Sequence, residues 1–158
     1  FDHYNFDKVD EIVGVDPAVS SVAIARSRSA QYNSKISFIE SSAESIDLAS
    51  NSFDCVVIGY SLCTIPDPLK ALEEARRLMK PEGSLFFMEH GLAPEKNIQK
   101  WQHRLTPGWK KIAGDCNLNR DIEDLITSSG FQFKSLNKKY IKGPKIAAFQ
   151  YYGEAIKS

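Results

Sequence analysis

Cysteine is scarce in this chain and badly spaced for either of its usual structural jobs. The three residues, Cys55, Cys63 and Cys116, form no CxxC pair and have no histidine at zinc-motif spacing. Neither a disulfide scaffold nor a metal site is therefore expected, and a reducing, cytoplasmic setting is favoured. Excess charge is also lacking, since 20 Lys+Arg balance 20 Asp+Glu over 158 residues. A phosphate-backbone binder needs a basic footprint, so nucleic acid is excluded as a first expectation. No apolar run approaches the roughly 20 residues of a membrane span, and no signal-peptide pattern is present. Repeats and low-complexity tracts are missing too. The chain opens on Phe-Asp-His-Tyr in place of Met, as a piece of something longer would.

What is present is an alternation of short β-branched runs and helical segments. Glu11–Val15 reads as a strand closed by Asp16-Pro17, with Asp16 as a cap and Pro17 as the first helical residue of a helix reaching Tyr32. Ile36–Ile39 and Cys55–Ile58 read as further strands. The second is apolar throughout, as expected for a parallel strand covered on both faces. Asp67 and Pro68 open a helix whose apolar face is Leu69, Leu72, Leu78 and Met79, with Glu73 four residues before Arg77. Pro81-Glu82-Gly83 ends that helix, and Leu85–Met88 is the next strand.

From about residue 91 to 118 the alternation stops. Trp101, Leu105, Trp109 and Ile112 recur at helical spacing around an interrupting Pro107-Gly108, which predicts an insertion with its own helical pieces. Asn119 is expected to cap a helix with Ile122, Leu125 and Ile126 inward and Gly130 at its end. Two β segments, 131–136 and 146–155, close the chain around a Gly143-Pro144 turn. Lys138, Lys139, Lys142 and Lys145 read as a solvated face of that hairpin.

This order predicts one α/β domain over residues 1–158. Its sheet is open, Rossmann-like and mostly parallel, with helices on both faces and an antiparallel C-terminal hairpin. Ligands of such sheets sit beyond the carboxyl ends of the strands. That rule selects Asp16, Ser42–Glu44, Gly59–Cys63 and Glu89–Gly91. An acid in the position of Asp16 can accept both ribose hydroxyls of an adenosine cofactor. The same position serves nicotinamide enzymes, so it does not choose the cofactor.

Gly14-Val15-Asp16-Pro17, then Ser42-Ala43-Glu44, Asn51–Val57 and Leu78–Leu85 occur in the order and spacing of a known family. The chain resembles the class I S-adenosylmethionine-dependent methyltransferases. A narrower resemblance rests on Phe87–His90, Trp101, Leu105, Pro107, Trp109, Gly114, Cys116, Leu118 and Arg120, which are similar to the branch that includes thiol S-methyltransferases.

The resemblance implies S-adenosylmethionine as methyl donor and S-adenosylhomocysteine as product. Asp16, Pro17, Ser42, Ala43, Glu44, Gly59 and Tyr60 would bind it, Tyr60 with its ring near the sulfonium. It implies a small acceptor, with a thiol as the specific expectation and a lipid amine or quinone-type ring as substitutes. Cys63, Trp101, Trp109 and Asp115 would line the acceptor's pocket, and His90 would be the base that takes its proton. Trp101 and Trp109 equally suit the apolar face of a lid helix.

Two departures stand out. Ser42 occupies the place where the family usually has Asp. The family's first strand, the middle of its sheet, and the Gly-rich loop after it are not in the sequence. Residues 1–5 would fall just beyond that loop, so either a segment preceding Phe1 or a rearranged fold is expected, and members of this branch can carry a membrane anchor in such a segment. A nicotinamide-dependent oxidoreductase and a non-catalytic methyltransferase-fold binding protein are the alternative readings.

Overall fold

The computed structural model describes residues 4–158, so the expectation concerning Phe1–His3 lies outside the described residues. The chain divides into two compact units, 1–46 and 47–158, each described by itself.

In the first unit β1 (Ile12–Val15) lies parallel to β2 (Ile36–Ile39), with Ile12 opposite Ile36 and Val15 opposite Ile39. Between them run α1 (Val19–Ser29) and a 3-10 segment, Ala30–Lys35. The helix starts two residues later than the sequence suggests. Pro17 precedes it, Ala18 is its N-cap, and Asp16 Oδ1 accepts the Ala18 N–H at 2.7 Å. Asp16 thus shapes the turn out of β1 instead of capping the helix directly.

The second unit holds a four-stranded sheet in the order β3-β4-β6-β5. Its strands are β3 (Phe53–Gly59), β4 (Met79–His90), β5 (Phe131–Tyr140) and β6 (Phe149–Lys157). β3 and β4 are parallel, and β6 runs antiparallel to both β4 and β5. Among the described residues β1 pairs only with β2, and β3 pairs only with β4.

α2 (Pro68–Leu78) is the parallel crossover from β3 to β4. Asp67 caps it by accepting the Lys70 N–H, and Leu72 and Leu78 are buried, as expected. Leu69 is exposed, and Arg77 pairs with Glu74 at 2.7 Å, not with Glu73. The helix passes straight into β4 at Met79, so Pro81–Gly83 lie within the strand. The core gathers Leu62, Leu72, Met79, Leu85, Phe87, Ile122, Ile126 and Phe149. β3 is covered on one side only: Val57 is 58% exposed, beside exposed Phe86 and Met88.

The insertion departs furthest from expectation. α3 (Lys96–Ile112) is one helix that runs through Pro107-Gly108 without a break. The face read as apolar points to solvent, with Trp101 52% and Ile112 81% exposed. The buried face is polar, made by Gln102 and Thr106. Gln102 Oε1 accepts the Ala93 N–H, and its Nε2 donates to the carbonyls of Gly91 and Ile146. Thr106 donates to Gln102 O and to Asn119 Oδ1. A buried amide with its bonds satisfied fixes a helix face as firmly as an apolar stripe does, because its partners could not be left unpaired cheaply. An interior proline costs ~3 kcal/mol in an isolated helix; here these anchors fix the turns that lead up to it.

α4 (Ile122–Ser128) is capped by Asp121, with Ile122 and Ile126 fully buried. Asn119, expected as the cap, is occupied by Thr106 and His103 Nδ1. Gly130 has φ +77 just past the helix end, where a Cβ would be strained. A short α5 (Lys145–Ala148) takes the first residues expected of the last strand. Lys138, Lys139 and Lys145 lie over the rings of Tyr151, Tyr152 and Tyr140, so they cover aromatic surface as well as facing water.

Candidate functional site

In the first unit, the carboxyl ends of β1 and β2 present Asp16 and the Ser42–Glu44 turn. Asp16 is half-buried; Oδ1 takes the Ala18 N–H, and Oδ2 makes no hydrogen bond among the described residues. A half-buried carboxylate with a spare oxygen at a strand end is the acceptor a ribose diol needs. Ser42 Oγ donates to Glu44 Oε2 at 3.0 Å and accepts the Glu44 N–H at 3.2 Å. The hydroxyl that replaces the family's Asp is thus tied into its own turn, and Ala43 sits between the two, half-buried. Pro17 is exposed beside Asp16. These residues fit the adenosine end of the expected cofactor.

In the second unit, the carboxyl ends of β3 and β4 meet one loop, residues 60–66. Gly59 ends β3 with open space around its α-carbon. Tyr60 takes φ +52, is 47% exposed, and donates its hydroxyl to Gln150 Oε1 at 2.9 Å. From there the loop is held by β4. Glu89, fully buried, accepts the backbone N–H groups of Ser61 at 2.6 Å and Leu62 at 3.0 Å through Oε1. Burial pushes its carboxyl up to about 7 against the pull of those N–H bonds. Its second oxygen is buried with no partner among the described residues. Arg120 grips the same loop from the other side, donating to the carbonyls of Leu62 and of Ile65 (2.7 Å).

This clamp brings together three residues that sequence spacing kept apart. Cys63 from the loop, His90 from the end of β4 and Cys116 from beyond α3 have Sγ, a ring nitrogen and Sγ all within 4.8 Å of one another. His90 Nε2 and Cys116 Sγ are 2.9 Å apart. His90 Nδ1 is buried without a partner among the described residues. Burial lowers the His90 pKa and pushes the Cys63 thiol up to about 12. The expectation that no histidine partners the cysteines is therefore corrected. The trio comes from a loop, a strand end and the segment after α3, and no linear spacing could encode it.

The remaining expected pocket residues scatter. Trp101 is on the solvent face of α3, with Arg104 over its ring at 5.7 Å. Trp109 is half-buried, and its Nε1 has no partner among the described residues. Asp115 is exposed with φ +61, and its carbonyl accepts from Asn117 Nδ2. Asn117 also donates through N and Nδ2 to the Cys63 carbonyl, at 2.8 and 2.9 Å, which ties the two cysteine loops together. Glu89 was selected as a strand-end position, but its role in holding the loop after β3 was not foreseen. Asn117 left no such signal.

The helix-linked parallel pairs β1–β2 and β3–β4, followed by antiparallel β5 and β6, make a Rossmann-like α/β fold with a mixed sheet in place of the mostly parallel one expected. The family model described as a methyltransferase domain matches residues 3–87, and the chain belongs to that family. It is a class I S-adenosylmethionine-dependent methyltransferase by family, which displaces the nicotinamide alternative. Among curated relatives, it is 39% identical over 111 residues to the thiol S-methyltransferase TMT1B of Rattus norvegicus, covering 69% of this chain and 44% of the relative. It is 29% identical over 141 residues to thiol S-methyltransferase TMT1A of Homo sapiens, covering 85% and 55%. The chain thus spans about half the length of these relatives. Among solved structures, a SAM-dependent methyltransferase from Methanosarcina mazei shares the fold with TM-score 0.69 at 20% identity, over 93% of this chain and 82% of that one. No helix among the described residues is long and apolar enough to cross a membrane.

Proposed function

We propose that the protein containing this chain transfers the methyl group of S-adenosylmethionine to a small thiol, giving a thioether and S-adenosylhomocysteine. The single observation that carries the acceptor is the 39% identity with a thiol S-methyltransferase, over a stretch that makes up most of this chain. In the first unit Asp16 would hold the ribose, with Ser42–Glu44 beside the adenine. A sulfonium methyl is already activated, so the protein's main tasks are in-line alignment and exclusion of water, which supply ~7–11 kcal/mol in favourable systems. A thiol reacts as its thiolate. His90, the expected base, stands at the carboxyl end of β4 with its Nε2 2.9 Å from Cys116 Sγ.

The test is direct. The full-length protein, given isotopically labelled S-adenosylmethionine and a panel of small thiols, amines, phenols and quinols, should label thiols at least tenfold faster than the rest. Labelling of another acceptor class with thiols inert would replace the thiol reading while leaving the cofactor assignment intact.

A further inference from the structure

We propose that Cys63, His90 and Cys116 form a Cys2His site for a single zinc-class divalent cation. Two thiolates and an imidazole are the donors that select zinc among the common biological cations, and zinc takes them tetrahedrally. With Zn–S near 2.3 Å and Zn–N near 2.0–2.1 Å, a tetrahedral ion holds its donors ~3.5–3.8 Å apart. The three donor atoms here already lie within 4.8 Å of one another, with Nε2 and the Cys116 sulfur at 2.9 Å. Seating a cation asks that pair to part by ~0.6–0.9 Å and a pair at the 4.8 Å limit to close by ~1 Å, within reach of side-chain rotation.

The loops are fixed before any ion arrives. Asn117 ties the Cys116 loop to the Cys63 carbonyl, and Arg120 and Glu89 hold the carbonyls and N–H groups of residues 61–65. Both cysteines are buried, and the ring of His90 is partly so, which suits a site that excludes bulk water. All three donors converge from separate segments, the loop after β3, the end of β4 and the segment after α3, on one buried point.

Three protein ligands leave one tetrahedral position for an exogenous donor, the arrangement of catalytic rather than closed structural zinc sites. With Nε2 on the cation, His90 would serve as a ligand and not as the expected base, and a thiol in the open fourth position would be favoured as its thiolate by the ion itself.

The full-length protein, purified under reducing conditions, should carry close to one equivalent of zinc by elemental analysis. Replacing it with Co(II) should give an intense thiolate-to-cobalt charge-transfer band and the visible bands of a tetrahedral ion. Cys63→Ser and Cys116→Ser should each weaken cobalt binding at least a hundredfold while circular dichroism stays that of the parent. A folded parent protein that carries no zinc and shows no charge-transfer band with excess Co(II) overturns the site. That arm needs no variant to fold.

Discussion

Glu89 Oε1 accepts the Ser61 N–H at 2.6 Å, so the last turn of one strand carries the loop that leaves its neighbour. The same oxygen takes the Leu62 N–H at 3.0 Å. Glu89→Ala would strand both donors in the interior, at ~1–3 kcal/mol each. We expect chemical denaturation to show a loss of about 2–5 kcal/mol and methyl transfer to fall with it. Glu89→Gln keeps an acceptor in place and should lose less than half as much. Equal losses in the two variants would mean that the loop is not held by this oxygen.

Arg120 acts on the opposite side of that loop. One guanidinium serves the carbonyls of Leu62 and Ile65, with that of Pro66 at 3.4 Å, and a lysine ammonium cannot reproduce this planar fork. Arg120→Lys should therefore lower kcat more than tenfold with a modest loss of thermal stability. A variant with parent kcat would show that the loop's placement does not depend on Arg120.

Asp16 is the group assigned to the cofactor's ribose. Hydrogen bonds to a charged acceptor contribute roughly 1.5–3 kcal/mol. Asp16→Asn should weaken S-adenosylhomocysteine binding about ten- to a hundredfold by calorimetry, with the fold retained. Unchanged affinity would assign Asp16 to the turn alone, where its Oδ1 already accepts the Ala18 N–H.

Gly153 is required by close approach. A Cβ there would sit 2.1 Å from the Ser135 carbonyl oxygen, which is backbone and cannot swing away. Gly153→Ala should destabilise the β5–β6 pairing by about 3 kcal/mol, in the range of overpacked sites. A melting temperature equal to the parent's would contradict the tight register at this position.

Tyr140 and Glu95 give a pH signature. The Tyr140 hydroxyl donates to Glu95 Oε2 at 2.5 Å, and that bond holds the carboxyl below its ordinary value. A carboxyl depressed in the folded state stabilises above its unfolded pKa of about 4.3 and loses that contribution as pH falls through the folded value. Tyr140→Phe removes the bond, so the drop in stability from pH 6 towards pH 3 should be shallower than in the parent. Parallel stability curves for the two proteins would exclude the coupling.

The strands and the capped helix after Asp67 were legible because local chemistry decides them: β-branched runs, Asp-Pro, Gly130. α3 was misread because its spacing put aromatic residues on one stripe, whereas Gln102 and Thr106 found buried partners far along the chain. The tertiary partners of a polar residue leave no periodic trace. Asp16 and Ser42–Glu44 were legible as strand-end positions followed by family motifs. The trio Cys63, His90 and Cys116 was not, because its members are 27 and 26 residues apart and meet only when β3, β4 and the segment after α3 converge.

The measurement closest to the central claim is the fate of a labelled methyl group. The full-length protein, supplied with methyl-labelled S-adenosylmethionine and a small alkyl thiol, should yield the labelled methyl thioether and one S-adenosylhomocysteine per turnover. Tight cofactor binding with no labelled thioether, from any thiol in the panel, would contradict the account.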